Sequence, residues 1–526
     1  MERMSGLDSA FLSVETSSMH LHVAMMAVVD PSTMPEPYRF DRLKEFIVER
    51  LRGMPTTRRR AVQVPFRLNH PLWVEDPDVD LDFHIRRHAL PTPGGNAELA
   101  DLAGAITGLP LDRRRPLWEI HVIEGLQSGY IALLGKMHHA AVDGVSGAEL
   151  FVNLFDLTPE PERRPTGEAP QPERIPNDVE MVTHAVMSQA RRSLGLPALV
   201  GRTARTMSQL VGRHRDPETV AGAVPLTAPR VPWSAAITPH RSVAFARVSL
   251  DEVKAVKNAF GVKVNDVVLA LVGLSLRRYL LDHDCLPPSP LVAMCPVSVR
   301  SQDESGQYTN MVSPMFVSLR TDVDDAAEMI HSVAEATRGA KEDHNAVGAK
   351  LLQDWSEHAA PATFALAARV YSRLNLADRH RPVYNLTVSN VPGPTFPLYL
   401  FGARLVASYP MGPVSEGAGL NVTVLSYLDH LDFGFLAARE LVPDLASMAA
   451  GLDDAMTALA AAAGIERAEE VDAPAAEGEG TTPEAAAHTP TPPKPRPARR
   501  SSGGGSRVTD SNGKTGPRPR SPATDA

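Results

Sequence analysis

Apolar residues alternate, or recur every three to four positions, from the start of the chain to about residue 464. Residues 22–29 (HVAMMAVV) predict a strand, 39–51 a helix, and 130–137 (YIALLGKM) a buried strand running into a new helix. A second series begins near residue 240. There VAFARVSL, LVAMCPVSV, MVSPMFVSL, YNLTVS and LNVTVLSYL predict strands, and VNDVVLALVGLSLRRYLLDH a helix among them. Behind Asp444 as N-cap, Leu445, Met448, Leu452, Met456 and Leu459 form one stripe of a closing helix. Strands mixed with helices in both halves predict two α/β sandwich-like domains, with a pocket at their interface as the default active site.

Breaks in the pattern set the boundaries. We divide the chain into an N-terminal domain (1–157), a linker with a helical crossover (158–238), a C-terminal domain (239–464) and a disordered tail (465–526). The crossover opens Pro/Glu/Arg-rich and continues as helical sequence whose fixed charges over 191–215 are all arginine. Val179, Val182, Val186, Leu199 and Val200 supply its apolar material. It reads as a helix pair packed between the domains, with a basic amphipathic face on lipid as the alternative. The tail is rich in Pro, Ala, Gly, Ser and Thr and lacks an apolar face to offset its ordering entropy.

Composition narrows the function classes. The 526 residues are 43% hydrophobic and 22% charged, an ordinary globular profile. A net charge of −9 and a pI near 6.1 argue against a general nucleic-acid binder. No apolar run reaches membrane-spanning length, and the first residues lack the basic and apolar segments of a secretion signal. Two cysteines, Cys285 and Cys295, make neither a disulfide framework nor a zinc site, so the cytoplasm is the expected compartment.

The most informative stretch is HHAAVDG, residues 138–144, at the corner between the 130–137 strand and the next helix. Two histidines and an aspartate at such a corner project into a cleft, although a satisfied polar cluster with a routine Asp-Gly turn fits the same residues. With no Cys or further His nearby, no metal is expected.

HHAAVDG resembles the H-H-x-x-x-D-G motif of the CoA-dependent acyltransferase superfamily, which includes chloramphenicol acetyltransferase and peptide-synthetase condensation domains. GLDSAFLSVETSSMHLHVA, LDRRRPLWEIHVIEGL, VNDVVLAL and LTVSNVPGP follow in the order of the bacterial wax ester synthase/diacylglycerol acyltransferase family, over residues 5–460. A tyrosine-threonine pair precedes Asn310 where that family usually has a glycine, and a second PLW stands at 71–73.

The resemblance implies two chloramphenicol-acetyltransferase-like α/β sandwich domains with the active site at their interface. It implies fatty acyl transfer from acyl-CoA to diacylglycerol or a long-chain alcohol, without a cofactor. It also implies peripheral contact with a membrane or lipid-body surface. The alternative is a carrier-protein-dependent condensation enzyme. His139 is the implied general base, suited to accept the alcohol proton and return it to the leaving thiolate. His138 is the implied structural partner. Asp143 sits behind the site, paired with an arginine for which Arg300 is the candidate, and Gly144 allows the turn. Asn265 is a candidate oxyanion donor or a helix N-cap. Asn390 shapes a rigid loop beside the channel, and Trp118 is a core aromatic.

Overall fold

A computed structural model describes residues 2–141, 153–162, 174–193, 196–215, 222–298, 312–347, 350–358 and 361–467. Beside a small three-stranded sheet of Glu2–Arg3, Leu72–Glu75 and Arg59–Val62, strand-forming runs become two six-stranded sheets. In chain order the strands are β1 (His22–Asp30), β2 (Ile85–Ala89), β3 (Trp118–Glu124), β4 (Ile131–His138), β5 (Arg241–Ser249) and β6 (Val292–Ser298). They continue with β7 (Val312–Ser318), β8 (Leu386–Val391), β9 (Tyr399–Leu400), β10 (Ala403–Met411), β11 (Leu420–Tyr427) and β12 (His430–Ala438). The first sheet has the order β9-β10-β1-β4-β3-β2 and the second β7-β6-β8-β11-β12-β5. This is the two-sheet α/β architecture that the alternating runs predict.

The principal helices are α1 (Gly6–Val14), α2 (Phe40–Arg52), α3 (Asn96–Thr107), α4 (Asp178–Ser193), α5 (Leu196–Arg215) and α6 (Leu250–Phe260). Next come α7 (Val264–Asp282), α8 (Ala326–Val347), α9 (Lys350–His358), α10 (Pro361–Arg373) and α11 (Leu445–Ala462). Asp444 accepts the Ser447 N–H at the start of α11, and all five residues of its predicted stripe are buried. They pack with α7 and α8 over one face of the second sheet. In the first sheet, Ile131 and Leu133 of β4 face α2, while Ala132 and Leu134 face α3. The period-two alternation of the strand therefore divides two separate cores.

The α4–α5 pair departs from expectation. Met181 and Ala185 of α4 are the buried residues, packed on Val64 and Leu72, whereas Val179, Val186 and Val200 are exposed. The covered stripe lies part of a turn away from the valines, because the surface beneath the helix is offered by a distant segment rather than by local periodicity.

Sheet membership also crosses the chain division at residue 239. β9 and β10 come from the C-terminal half but complete the first sheet, β10 pairing antiparallel with β1. A register shift between Leu405 and Ala407 leaves Val406 out of that ladder. Its carbonyl accepts instead from Arg247 Nη2 at 2.8 Å. Arg247 on β5 also donates to Asp432 on β12 (Nε to Oδ1, 2.7 Å), and Asp432 Oδ2 accepts from the Ser408 N–H at 2.7 Å. This buried pair bolts β10 of the first sheet to two strands of the second. Gly434 permits the close crossing, since a Cβ there would lie 2.0 Å from the Pro410 carbonyl oxygen.

Past α11, Ile465 packs against the core and Arg467 Nη2 lies 2.6 Å from Asp453 Oδ1 and 3.3 Å from Glu252 Oε2. The ordered chain thus extends at least three residues beyond Gly464, because an ion pair and a core contact hold those residues. The rest of the expected tail, 468–526, lies outside the described residues.

Two outcomes follow. Asp432→Ala should lower unfolding stability by about 3–5 kcal/mol by stranding a buried guanidinium. Denaturant titration checks this, and a loss below about 1 kcal/mol would show that the pair does not hold the sheets together. A chain ending at Arg467 should match the full-length melting temperature, whereas one ending at Gly464 should melt lower. Equal melting temperatures for the two truncations would place the boundary back at Gly464.

Candidate active site

Between the two sheets lies a cavity of about 600 Å³. Met25, Trp118, Ile120 and Met137 form part of its wall on the first sheet. Met294, Pro314 and Thr387 line it from the second, and Leu51 and Leu154 lie at its side. The lining is predominantly apolar, with a few polar groups such as Tyr384, Ser415 and Thr423. This combination suits a hydrophobic ligand held in register by a few directed contacts.

His139 is the one imidazole among the described lining residues. β4 ends at His138, and the His139 N–H extends the ladder to β1 by donating to the Leu21 carbonyl at 2.8 Å. The Phe11 ring of α1 lies against the His139 ring, with centroids 4.4 Å apart. Alternation sends Gly135, Met137 and His139 toward the cavity. His138, one residue earlier, points to the opposite side and is buried.

There His138 meets a carboxylate hub. Its Nε2 lies 3.1 Å from Glu15 Oε2, and its Nδ1 accepts the Ala140 N–H at 3.0 Å. Those contacts define the neutral Nε2–H tautomer, donating to Glu15. Arg113 also donates to Glu15, through Nε at 3.1 Å and through Nη2, and Nη2 reaches the Leu12 carbonyl at 2.9 Å. His20 Nδ1 and His22 Nε2 each lie 3.6 Å from Glu15 Oε1. Burial alone would raise the Glu15 carboxyl, but the contacts from His138, His20 and His22 hold it far below the usual carboxylate range. Burial lowers His138 against the upward pull of Glu15, and it lowers His22 to about 3. The hub is an ionised carboxylate paired with Arg113, with the His138 and His22 imidazoles held neutral beside it.

A second ionic cluster occupies the same side of the first sheet. Lys136 Nζ, fully buried, lies 2.9 Å from Glu119 Oε2 and donates to the Ile106 and Leu109 carbonyls. Burial would raise Glu119, but His121 and Lys136 hold it at about 2. Among the described residues no group of His, Cys, Asp and Glu has the arrangement of a metal site.

The structure brings some of the expected residues together and not others. Asn390 borders the cavity at the exposed end of β8. Trp118 is a buried core aromatic, as expected, and also a cavity wall. Its Nε1 donates to the Thr57 carbonyl at 2.8 Å, and its ring stacks on His84. Asn265 corrects both readings made for it. It sits in the first turn of α7, in the helix layer covering the far face of the second sheet, and does not line the cavity. Nor is it the N-cap, which is Lys263, with the Asp266 side chain accepting the Lys263 N–H. Asp143, Gly144, Arg300 and the 308–310 departure lie outside the described residues. Glu15 and Arg113 went unassigned, although both lie in the stretches LSVETSS and LDRRRPLW singled out above. Nothing local marks a glutamate 123 residues from its histidine as its partner.

Comparison with known proteins places this geometry. Residues 4–268 match the wax ester synthase/diacylglycerol acyltransferase catalytic domain, and residues 308–460 match the C-terminal domain of the same family. A Mycobacterium tuberculosis protein that carries the name diacylglycerol O-acyltransferase is 39% identical over 464 residues, covering 87% of this chain and 90% of that protein. The wax ester synthase/diacylglycerol acyltransferase of Marinobacter aquaeolei VT8 superposes with a TM-score of 0.62 at 28% identity, covering 88% of this chain and all of that one. The trichothecene 15-O-acetyltransferase of Fusarium sporotrichioides shares the fold, with a TM-score of 0.53 at 14% identity over 87% of this chain and 94% of its own. Two sheets around one apolar cavity, His139 at the end of β4 and matches along nearly the whole ordered chain agree: this chain belongs to the wax ester synthase/diacylglycerol acyltransferase family.

Proposed function

We propose that the chain transfers a fatty acyl group from acyl-CoA to diacylglycerol or a long-chain alcohol, with His139 as general base. The observation that carries this reading is His139, the one imidazole among the described lining residues of an apolar cavity large enough for lipid chains. The His139 ring takes the proton from the acceptor hydroxyl as its oxygen attacks the thioester carbonyl. A C–O bond forms, and the tetrahedral intermediate collapses with loss of the C–S bond. The imidazolium returns the proton to the departing thiolate, so the ester and free CoA leave and His139 is neutral again. No acyl-enzyme is needed.

The apolar wall selects its substrates by burial, each enclosed methylene contributing about 0.8 kcal/mol. The apolar lining also disfavours water as a competitor of the alcohol. Glu15 acts through His138 as a positioning residue. It fixes the His138 tautomer, and His138 in turn holds the Ala140 N–H and so the turn that presents His139. In this reading the enzyme works in the cytoplasm, against the membrane or lipid-body surface where its acceptor resides.

His139→Ala should reduce turnover by roughly a hundredfold or more with an unchanged melting temperature. His138→Ala should cost less in rate and more in stability. Turnover of labelled palmitoyl-CoA with diacylglycerol, hexadecanol and a water control is the measurement. Near wild-type turnover of His139→Ala would overturn the mechanism.

Stability should fall as pH is lowered from about 6.5 toward 3. His22 has its folded-state pKa at about 3 against an ordinary 6.5, so across that window the unfolded chain binds a proton that the folded chain does not. His22→Gln should flatten the dependence of melting temperature on pH. The same steepness in that variant would remove His22 as a source of acid sensitivity.

A further inference from the structure

The turn at Pro65–Arg67 places two consecutive non-glycine residues in the left-handed region, Phe66 at φ 56° and Arg67 at φ 53°. Such backbone is costly for side-chain-bearing residues and persists where surrounding structure imposes it. Its effect is to hold Phe66 out in solvent, 84% exposed. The turn touches two helices, α4 and α10. Both bury one side and leave an apolar stripe on the other. α10 buries Pro361 and Ala365 and exposes Leu366, Val370 and Leu374 at its end, with Leu366 64% exposed. α4 buries Met181 and Ala185 and exposes Val179, Val186 and Met187, with Val179 75% exposed.

The charges on this face carry one dominant sign. Arg369 and Arg373 share the exposed side of α10 with its apolar stripe, and α10 contains no acidic residue. Burial and the like charges of Arg369 and Arg113 pull Arg67 below its ordinary range, so these guanidinium groups crowd one another. Arg113 is neutralised by Glu15. Arg67, Arg369 and Arg373 have no carboxylate partner among the described residues. The nearby acids are engaged elsewhere: Glu180 at the start of α4 is paired with Arg174, Asp378 just past α10 accepts the Ala236 N–H, and Glu416 accepts from Ser372 Oγ and the Ile237 N–H. On a chain of net charge −9, clustered unpaired arginines around an apolar apex are a local reversal of sign.

We propose that this face, with Phe66 at its apex and the exposed sides of α10 and α4 as its flanks, docks on an anionic phospholipid surface. Aromatic and aliphatic side chains enter the interface while arginines beside them meet phosphate headgroups, the combination by which interfacial helices bind membranes. No single helix among the described residues is long and apolar enough to cross a bilayer. The face is also close to the chemistry. α10 packs on α1, whose Phe11 lies against His139 and lines the cavity. Docking here brings the site within one helix of the lipid that supplies its acceptor. The proposal rests on the lipid-acceptor reading for its purpose, but the binding it describes is measured without turnover.

The test uses the full chain in flotation with phosphatidylcholine vesicles and with vesicles that also contain phosphatidylglycerol. Wild-type protein should float with the anionic vesicles and be released by salt. Each arginine at such a surface is worth roughly a fivefold change in partition. Phe66→Asn/Arg67→Gln/Arg369→Gln should therefore bind the anionic vesicles at least roughly 25-fold more weakly. Its turnover on a soluble short-chain alcohol should be unchanged and its turnover on vesicle-borne diacylglycerol reduced. Asparagine is chosen at position 66 because it tolerates the left-handed region.

Phe66→Trp keeps an aromatic apex, and brominated phospholipid should quench its emission beyond any quenching of the wild type. Unchanged vesicle binding in the triple variant, or no added quenching in Phe66→Trp, would overturn the proposal. So would light scattering that shows the triple variant breaking a wild-type dimer while vesicle binding persists, since the face would then belong to a second copy. Failure of the wild type to acylate any alcohol would count against the catalytic reading alone.

Discussion

A buried carboxylate cannot stand uncompensated in a protein interior, and the placement of Glu15 follows from that requirement. It lies just past α1, yet its partners come from β1, β4 and the segment before β3. Arg113 supplies the balancing charge, and the imidazoles supply the remaining contacts. Each of these elements is thereby held to the others at the end of β4. His138 is the decisive partner, because Nε2 given to Glu15 leaves Nδ1 to accept from Ala140. The turn after the strand has little freedom once both bonds are made.

Strand alternation along β4 then separates Lys136 and His138 from the substrate cavity. Along β4, Lys136 and His138 lie on the side of the ionic clusters, while Gly135, Met137 and the following His139 belong to the cavity. Two adjacent histidines of the same chemical type thus acquire different work. One is buried and kept neutral as a hydrogen-bonded support. The other lies on an apolar wall against Phe11. Moving the pairing register by a single residue would exchange the two and deliver the ionic residues into the lipid cavity.

The cavity itself exists because β10 leaves its own half of the chain to complete the first sheet. The bulge at Val406 makes this junction specific. A carbonyl released from the ladder is taken up by Arg247, whose charge is met by Asp432, which also accepts the Ser408 N–H. The sheets are tied at this edge and separate elsewhere, and the space between them is where lipid chains fit. The exposed apolar surface around Phe66 lies outside this arrangement, and the arginines beside it distinguish it from a core left uncovered.

The sequence by itself determined the local elements and the HHAAVDG motif. The stripe from Leu445 to Leu459 and the Asp444 cap are visible because helix periodicity and capping involve residues four positions apart or fewer. The strand ending in His138-His139 is visible for the same reason, and the resemblance carried by HHAAVDG distinguishes the two histidines. Tertiary structure alone decided which surfaces those elements would cover. It moved β10 into the first sheet, put Asn265 behind the second, turned Val179 and Val186 outward and selected Glu15 as the partner of His138. These outcomes depend on contacts between residues far apart in the chain. A sequence pattern states that a residue will be buried or charged, but the face it meets is supplied by a segment whose position only folding establishes.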